Sequence, residues 1–202
     1  MKTTTPLKAL IFAALLGSTV AAHALPIEVD GVNFEDIETV ANTKLVRNGA
    51  STSTMLSAKA TAVGLYMTQR QPTMESAMAQ KGPKRVRLVA LREISAKDLA
   101  TVLLDRIKQN ATRDEIENNV LQFAALGGAF TSRTKLLKGD VVTLDYVPSA
   151  QTTEIRINGD LATQPIQGDT FYPVLMKVWI GPKVRGITRE NLLGASEHLA
   201  AK

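Results

Sequence analysis

The stretch LVRNGASTSTMLSAKATAVGLY, Leu45 to Tyr66, decides how this chain is read. It holds one arginine, an Asn-Gly pair, a run of hydroxyl residues, and an apolar segment ending in Gly-Leu-Tyr. Asn48-Gly49 has the composition of a tight turn. From Ala58 to Tyr66, Ala60, Ala62 and Gly64 alternate with Thr61, Val63 and Leu65. Small or apolar residues at both parities describe a strand buried on both faces.

The pattern changes period on moving outward. Asp30-Gly31 marks a turn between two short β-like pieces, and Val86 to Leu91 (VRLVAL) reads as a further strand. Then come helices. Ser95 with Asp98 resembles a capping box, and behind it Leu99, Val102, Leu103, Arg106 and Ile107 recur at helical spacing to about Asn110. Thr112 with Glu115 repeats the signal and opens a second helix, with Ile116, Val120, Phe123 and Ala124 on one face and Gly127-Gly128 as its end. Val141 to Pro148 and Thr152 to Asn158 return to strict alternation, joined by Asn158-Gly159 to a third hairpin partner. Asp169 or Thr170 starts a third helix, FYPVLMKVWI, stopped at Gly181-Pro182, and Thr188 begins a short last one. Strands, helices, strands, helices: the order predicts an α+β domain, its sheet largely antiparallel and covered by helices.

The first 24 residues stand apart. Lys2 and Lys8, the apolar run Ala9 to Leu16, and Ala22-His23-Ala24 compose a signal peptide, leaving residues 25–202 as one domain. The apolar run is too short to span a bilayer, so no stable membrane insertion is expected after cleavage. The expected location is periplasmic or secreted. The chain has no cysteine, which excludes disulfides, thiolate nucleophiles and a lipid-bearing cysteine. Net charge is +5, two of it from the leader's lysines, and the one basic cluster, Lys81 to Arg87, adjoins a strand start. Nothing here argues for nucleic acid.

Candidate chemistry is thin. The only histidines are His23 and His198, too few for a metal site or a Ser-His-Asp triad. No phosphate loop or dinucleotide fingerprint occurs, and no cofactor is implied. Carboxylate pairs such as Asp114/Glu115 sit at helix starts, where they complement the helix dipole. Tyr66, Tyr146, Tyr172 and Trp179 fit core positions.

A wider pattern is carried by Leu45 to Ala50, Lys59 to Tyr66, Gly82-Pro83-Lys84-Arg85, Leu91-Arg92-Glu93-Ile94, Lys138-Gly139-Asp140, Asn158-Gly159, Trp179-Ile180-Gly181 and Asn191-Leu192-Leu193-Gly194. In order and spacing these resemble the chalcone isomerase-like family, in particular its bacterial exported members, over roughly Ile27 to Gly194. The resemblance implies an open-faced β-sandwich: a long sheet, a layer of helices, and a cleft between them. Plant members of that family either cyclise chalcones or bind fatty acids. In the cyclising enzymes a cleft arginine holds the phenolate, while a threonine and a tyrosine polarise the ketone, the physics of an oxyanion site.

Carried onto this chain residue by residue, the resemblance loses most of that machinery. Counted back from Tyr66, the arginine position falls on Ser53. Thr61 matches the threonine. The tyrosine and asparagine positions fall on Leu99 and Arg106, and a specificity threonine on Val178. Serine lacks the charge and the forked donors of arginine. Two replacements are open: Arg47, if the register before the strand carries two extra residues, or Arg106 from the first helix. Ser53, Thr61, Leu99, Arg106, Val178 and Arg47 are therefore the candidate ligand-binding residues, with no metal among their partners. The expected function is non-catalytic binding of a small apolar or amphipathic ligand, such as a fatty acid. The alternatives are an intramolecular lyase acting on a phenolic or enone substrate, or a module that docks an envelope protein partner.

Overall fold

The double-sided burial read from Ala58 to Tyr66 places that segment in the middle of a sheet, with something packed on each face. A computed structural model describes residues 26–131 and 133–194. The leader (residues 1–24) and His198 lie outside these described residues. In chain order the elements are β1 (Ile27–Val29), β2 (Val32–Phe34), β3 (Ile37–Val40), β4 (Thr43–Met55), β5 (Ala58–Met67), α1 (Met74–Ala79), β6 (Lys84–Ala90), β7 (Ile94–Ser95) and α2 (Ala96–Asn110). They continue with α3 (Arg113–Glu117), α4 (Val120–Gly128), β8 (Lys135–Leu136), β9 (Val141–Val147), β10 (Thr152–Ile157), β11 (Asp160–Leu161), β12 (Ile166–Gln167), α5 (Phe171–Ile180) and α6 (Gly186–Leu192).

An eight-stranded antiparallel sheet runs β11-β10-β9-β6-β5-β4-β3, with β12 beside β10. One face carries the main core, in which Val63, Leu65, Val86, Leu88, Leu144 and Ile155 meet Leu99, Leu103 and Ile107 of α2 and most of α5. Apolar on nearly all sides, α5 lies deepest, as a helix without a polar face must. Its Tyr172 hydroxyl donates to the Leu144 carbonyl at 2.8 Å. Its one charge, Lys177, meets both Glu115 oxygens at 2.7 Å. The opposite sheet face holds a smaller core of Phe34, Val40, Leu45, Ala50, Ala62, Tyr66 and Val89, covered by the β1–β2 hairpin. Phe34 lies on Gly64, where a Cβ would sit 2.6 Å from its ring. Glycine is what lets that aromatic ring take the place of a side chain on the sheet.

Several expectations shift. Asn48-Gly49 is not a turn. β4 continues through it, and the chain reverses at Leu56-Ser57, whose φ angles of 52° and 63° make a tight two-residue turn without glycine or asparagine. Arg47 pairs with Tyr66 and Gly49 with Leu65, leaving Asn48 with no residue opposite, a β-bulge. The Asn48 side chain is buried; its Nδ2 donates to the carbonyls of Leu192 (2.7 Å) and Gln71 (3.1 Å), and its Oδ1 accepts from the Gln71 N–H. At Gly49 a Cβ would stand 2.0 Å from the Asn191 carbonyl oxygen. The Asn-Gly pair is thus the seat on which the end of α6 rests.

The predicted second helix is two, α3 and α4, parted at Asn118-Asn119. Buried Asn119 there satisfies the Glu115 carbonyl (2.9 Å) and accepts from the Thr170 hydroxyl (3.2 Å). The last helix begins at Gly186, and Thr188 lies inside it, spending its hydroxyl on the Thr52 carbonyl at 3.1 Å rather than on a cap. α1, closed by a Thr73–Ser76 capping box, gave no clear periodic signal because it is only six residues long.

Candidate ligand-binding site

The bulge at Asn48 changes which side of the sheet β4 presents. Beyond it, Gly49, Ser51 and Ser53 face the helices: Gly49 meets α6, Ser51 Oγ lies 3.4 Å from Asn191 Nδ2, and Ser53 Oγ accepts from Arg106. Before it, Leu45 and Arg47 face the opposite core with Tyr66. Arg47 is accordingly set apart from the other candidates. It is 1% exposed, its Nη1 donates to the Phe34 carbonyl at 2.7 Å, and Asp36 lies 3.8 Å away. The open alternative that gave Arg47 the cleft is corrected by geometry, since the extra residue in β4 turns it to the far face.

Ser53 and Thr61 are register partners across β4 and β5, both buried, at the end of the sheet near the hairpin tip. α2 crosses above them. Its turns at Leu99, Val102, Leu103 and Arg106 fall on one side by i+3 and i+4 steps, so a residue that follows three apolar ones arrives over Ser53. Arg106 Nη1 donates to Ser53 Oγ at 2.8 Å and Nη2 to the Thr54 carbonyl. Burial pushes the Arg106 guanidinium below its ordinary pKa, yet an arginine remains charged at neutral pH. A guanidinium has five donors; these two bonds engage two of them.

Two clefts meet at Arg106. The inner one is lined by Met55, Ala60, Thr61, Leu88, Leu99, Val102, Leu103 and Trp179, with Ser53, Thr54 and Arg106 at its rim. Side chains nearly fill it, leaving about 10 Å³, the room of one water at most. The outer one opens on the other side of Arg106, between the end of α2, the β4 edge and the 181–185 loop, with a volume of about 140 Å³. Leu99, which the resemblance puts at the family's tyrosine position, lines the inner cleft. Val178 does not: it is fully buried in the main core, and its neighbour Trp179 reaches the cleft instead.

Sequence reasoning missed Trp179 as a cleft residue, and Gln109, Asn110, Lys183, Arg185 and Thr188 altogether. The pair Lys183 and Arg185 is visible after the Gly181-Pro182 helix stop, but nothing local tells that this loop folds back to Arg106. Among the described residues, no group of three or more His, Cys, Asp or Glu side chains is set to hold a metal ion, and no helix is long and apolar enough to cross a membrane.

Comparison with known proteins agrees with this layout. A crystal structure of a fatty-acid-binding protein from Arabidopsis thaliana superposes with a TM-score of 0.62 at 14% identity, covering 86% of this chain and 97% of that one. At that identity the likeness speaks for the fold. No curated protein matches the sequence. The family model described as chalcone isomerase-like matches residues 26–194, from the first described residue to the last. With the family pattern met across the whole sheet and helix layer, this chain belongs to the chalcone isomerase-like family.

Proposed function

We propose that the protein binds, without transforming it, a small amphipathic molecule whose acidic head sits at Arg106 and whose apolar tail enters between α2, β5 and α5 by parting the side chains that fill the inner cleft. The observation that carries this is the position of Arg106, bonded to Ser53 at the junction of an apolar cleft and an open polar one. Arginine there offers a charge-assisted contact to a carboxylate. The Arabidopsis protein of the same fold is named for fatty-acid binding, which makes a fatty acid the first ligand to try. The leader read in residues 1–24 adds that binding takes place outside the cytoplasm, in a periplasm or beyond.

Trp179 is the chain's one tryptophan and lines the inner cleft, so its fluorescence reports a tail arriving there. Titration with dodecanoate is expected to change the emission saturably. Arg106→Gln is expected to weaken binding about tenfold or more, the worth of a charged hydrogen bond of roughly 1.5–3 kcal/mol. No saturable change for any alkyl carboxylate sinks the proposal.

One feature favours a second reading, an intramolecular lyase. Arg106 stands where a cation could hold a phenolate, over the Ser53–Thr61 pair. Chalcone cyclisation above the spontaneous rate, abolished by Arg106→Gln, would establish it. A rate equal to the spontaneous one removes it for that substrate.

A further inference from the structure

The outer cleft carries more positive charge than a carboxylate needs. Arg106, Lys183 and Arg185 all line it, and the other lining residues are Ser53, Thr54, Gln109, Asn110, Val184 and Thr188, none of them acidic. Its volume of about 140 Å³ is several times the ~30 Å³ share of a water molecule. A single arginine suffices to bind one carboxylate bidentately. Three like charges around one space repel each other, and an anion of higher charge relieves that repulsion most.

The loop bearing two of the cations is held in place. Asn110, buried at the end of α2, accepts from the Lys183 backbone N–H at 2.7 Å and donates to the Arg106 carbonyl at 2.8 Å. The Val184 N–H closes a turn onto the Gly181 carbonyl at 3.1 Å. Thr188 ties the following helix to the Thr52 carbonyl of β4. One buried amide therefore fixes Lys183 relative to Arg106, while the lysine and arginine side chains of the loop stay exposed and able to adjust.

We infer that the outer cleft is a phosphate site, taking the dianionic group of a phosphomonoester. A phosphomonoester carries about −1.5 to −2 charge at neutral pH and three acceptor oxygens, which matches three cations flanked by hydroxyl and amide donors. This deepens the proposed function and rests on it for the tail alone: an alkyl phosphate would place its phosphate among Arg106, Lys183 and Arg185 and its chain toward Trp179.

The test compares dodecyl phosphate, dodecanoate and inorganic phosphate on the mature chain, by calorimetry and by Trp179 fluorescence. Dodecyl phosphate is expected to bind at least tenfold tighter than dodecanoate. The double variant Lys183→Gln/Arg185→Gln, altered only at exposed loop positions, is expected to erase that preference, weakening dodecyl phosphate at least tenfold and dodecanoate by a smaller factor. Inorganic phosphate and dodecyl phosphate binding equally, both lost in the double variant, supports the site and names free phosphate as the source. Tighter dodecyl phosphate with a Trp179 response names a lipid headgroup. Dodecanoate binding as tightly as dodecyl phosphate, or phosphate affinities untouched by the double variant, overturns the inference while leaving the proposed function standing. Absence of a Trp179 response to either alkyl compound, with phosphate still bound, instead defeats the proposed function alone.

Discussion

Arg47 and Arg106 show how far the surroundings of a side chain decide its role. Both are arginines drawn out of bulk water, Arg47 almost wholly and Arg106 in part. Arg47 is bonded to the Phe34 carbonyl and faces Asp36 inside the small core, so it holds the β1–β2 hairpin to the sheet. Replacing it by methionine is expected to lower stability by about 3 kcal/mol, read in urea melts. Arg70, 2.9 Å from Asp36, softens the loss. The folded fraction of that variant should bind dodecanoate as the wild type does; a tenfold weaker affinity would falsify the assignment of Arg47 to the far face. The sequence showed both arginines as candidates and could not rank them. Counting along β4 gives distance, but the side of the sheet depends on a bulge that no residue type announces by itself. Ser53 was singled out by counting back from Tyr66 along the resemblance, but its place opposite Thr61 rests on a second register shift, between Ser53 and Thr54, that leaves Ala60 unmatched.

At the level of elements, α6 and the loop before it are where the site is most dependent on a distant contact. Asn48 caps the Leu192 carbonyl from inside β4. Asn48→Ala is expected to cost roughly 2 kcal/mol, since it leaves buried carbonyls unmatched, and to speed amide exchange across residues 186–194 ahead of the rest of the chain. Uniform exchange over the whole molecule would show that α6 has no separate dependence on Asn48. α2 makes the opposite case: its inner face closes the apolar cleft. Leu103→Ala should destabilise by about 3 kcal/mol yet bind longer alkyl chains better than the wild type, because the missing methyl groups open space beside Trp179. Unchanged chain-length preference in fluorescence titrations would argue that the tail lies elsewhere. The caps of α2 and α3 were legible from Ser95 and Thr112, whose side chains accept from the Asp98 and Glu115 backbone N–H groups. The true start of α6 was not, since Thr188 is polar for a tertiary reason.

Across the whole molecule, the sheet and its helix layer followed from period two giving way to period 3.6 and back, while the site needed contacts between residues 53 and 106 and between 110 and 183, which no local pattern carries. The polar network of the sheet ends in one unusual group. Lys84, buried at the start of β6, donates to the Gln80 carbonyl at 2.5 Å and lies 5.7 Å from the centre of the Tyr146 ring. Burial, with repulsion from Lys81, pushes its pKa down to about 8. An unfolded lysine titrates near 10.4, so the unfolded state holds more protons between these values, and stability rises with pH across that window. The penalty is complete below about pH 8, on the order of 2–3 kcal/mol, and gone above pH 10.4. Lys84→Met is accordingly expected to be the more stable protein at pH 7 by urea denaturation, with its advantage shrinking as pH climbs toward 10. A difference that stays constant from pH 7 to 10 would mean the lysine titrates normally.

The bulge in β4 has one more effect. A strand alternates sides with every residue, so a single unmatched residue reverses handedness of address for everything before it: odd numbers point to the helices after Asn48 and away from them before it. Loss or gain of one codon at that place is a change of sidedness rather than of length. It would exchange, between the ligand side and the hairpin side, the whole set of residues from Thr43 to Arg47, and bring an arginine to the ligand side without any substitution at all.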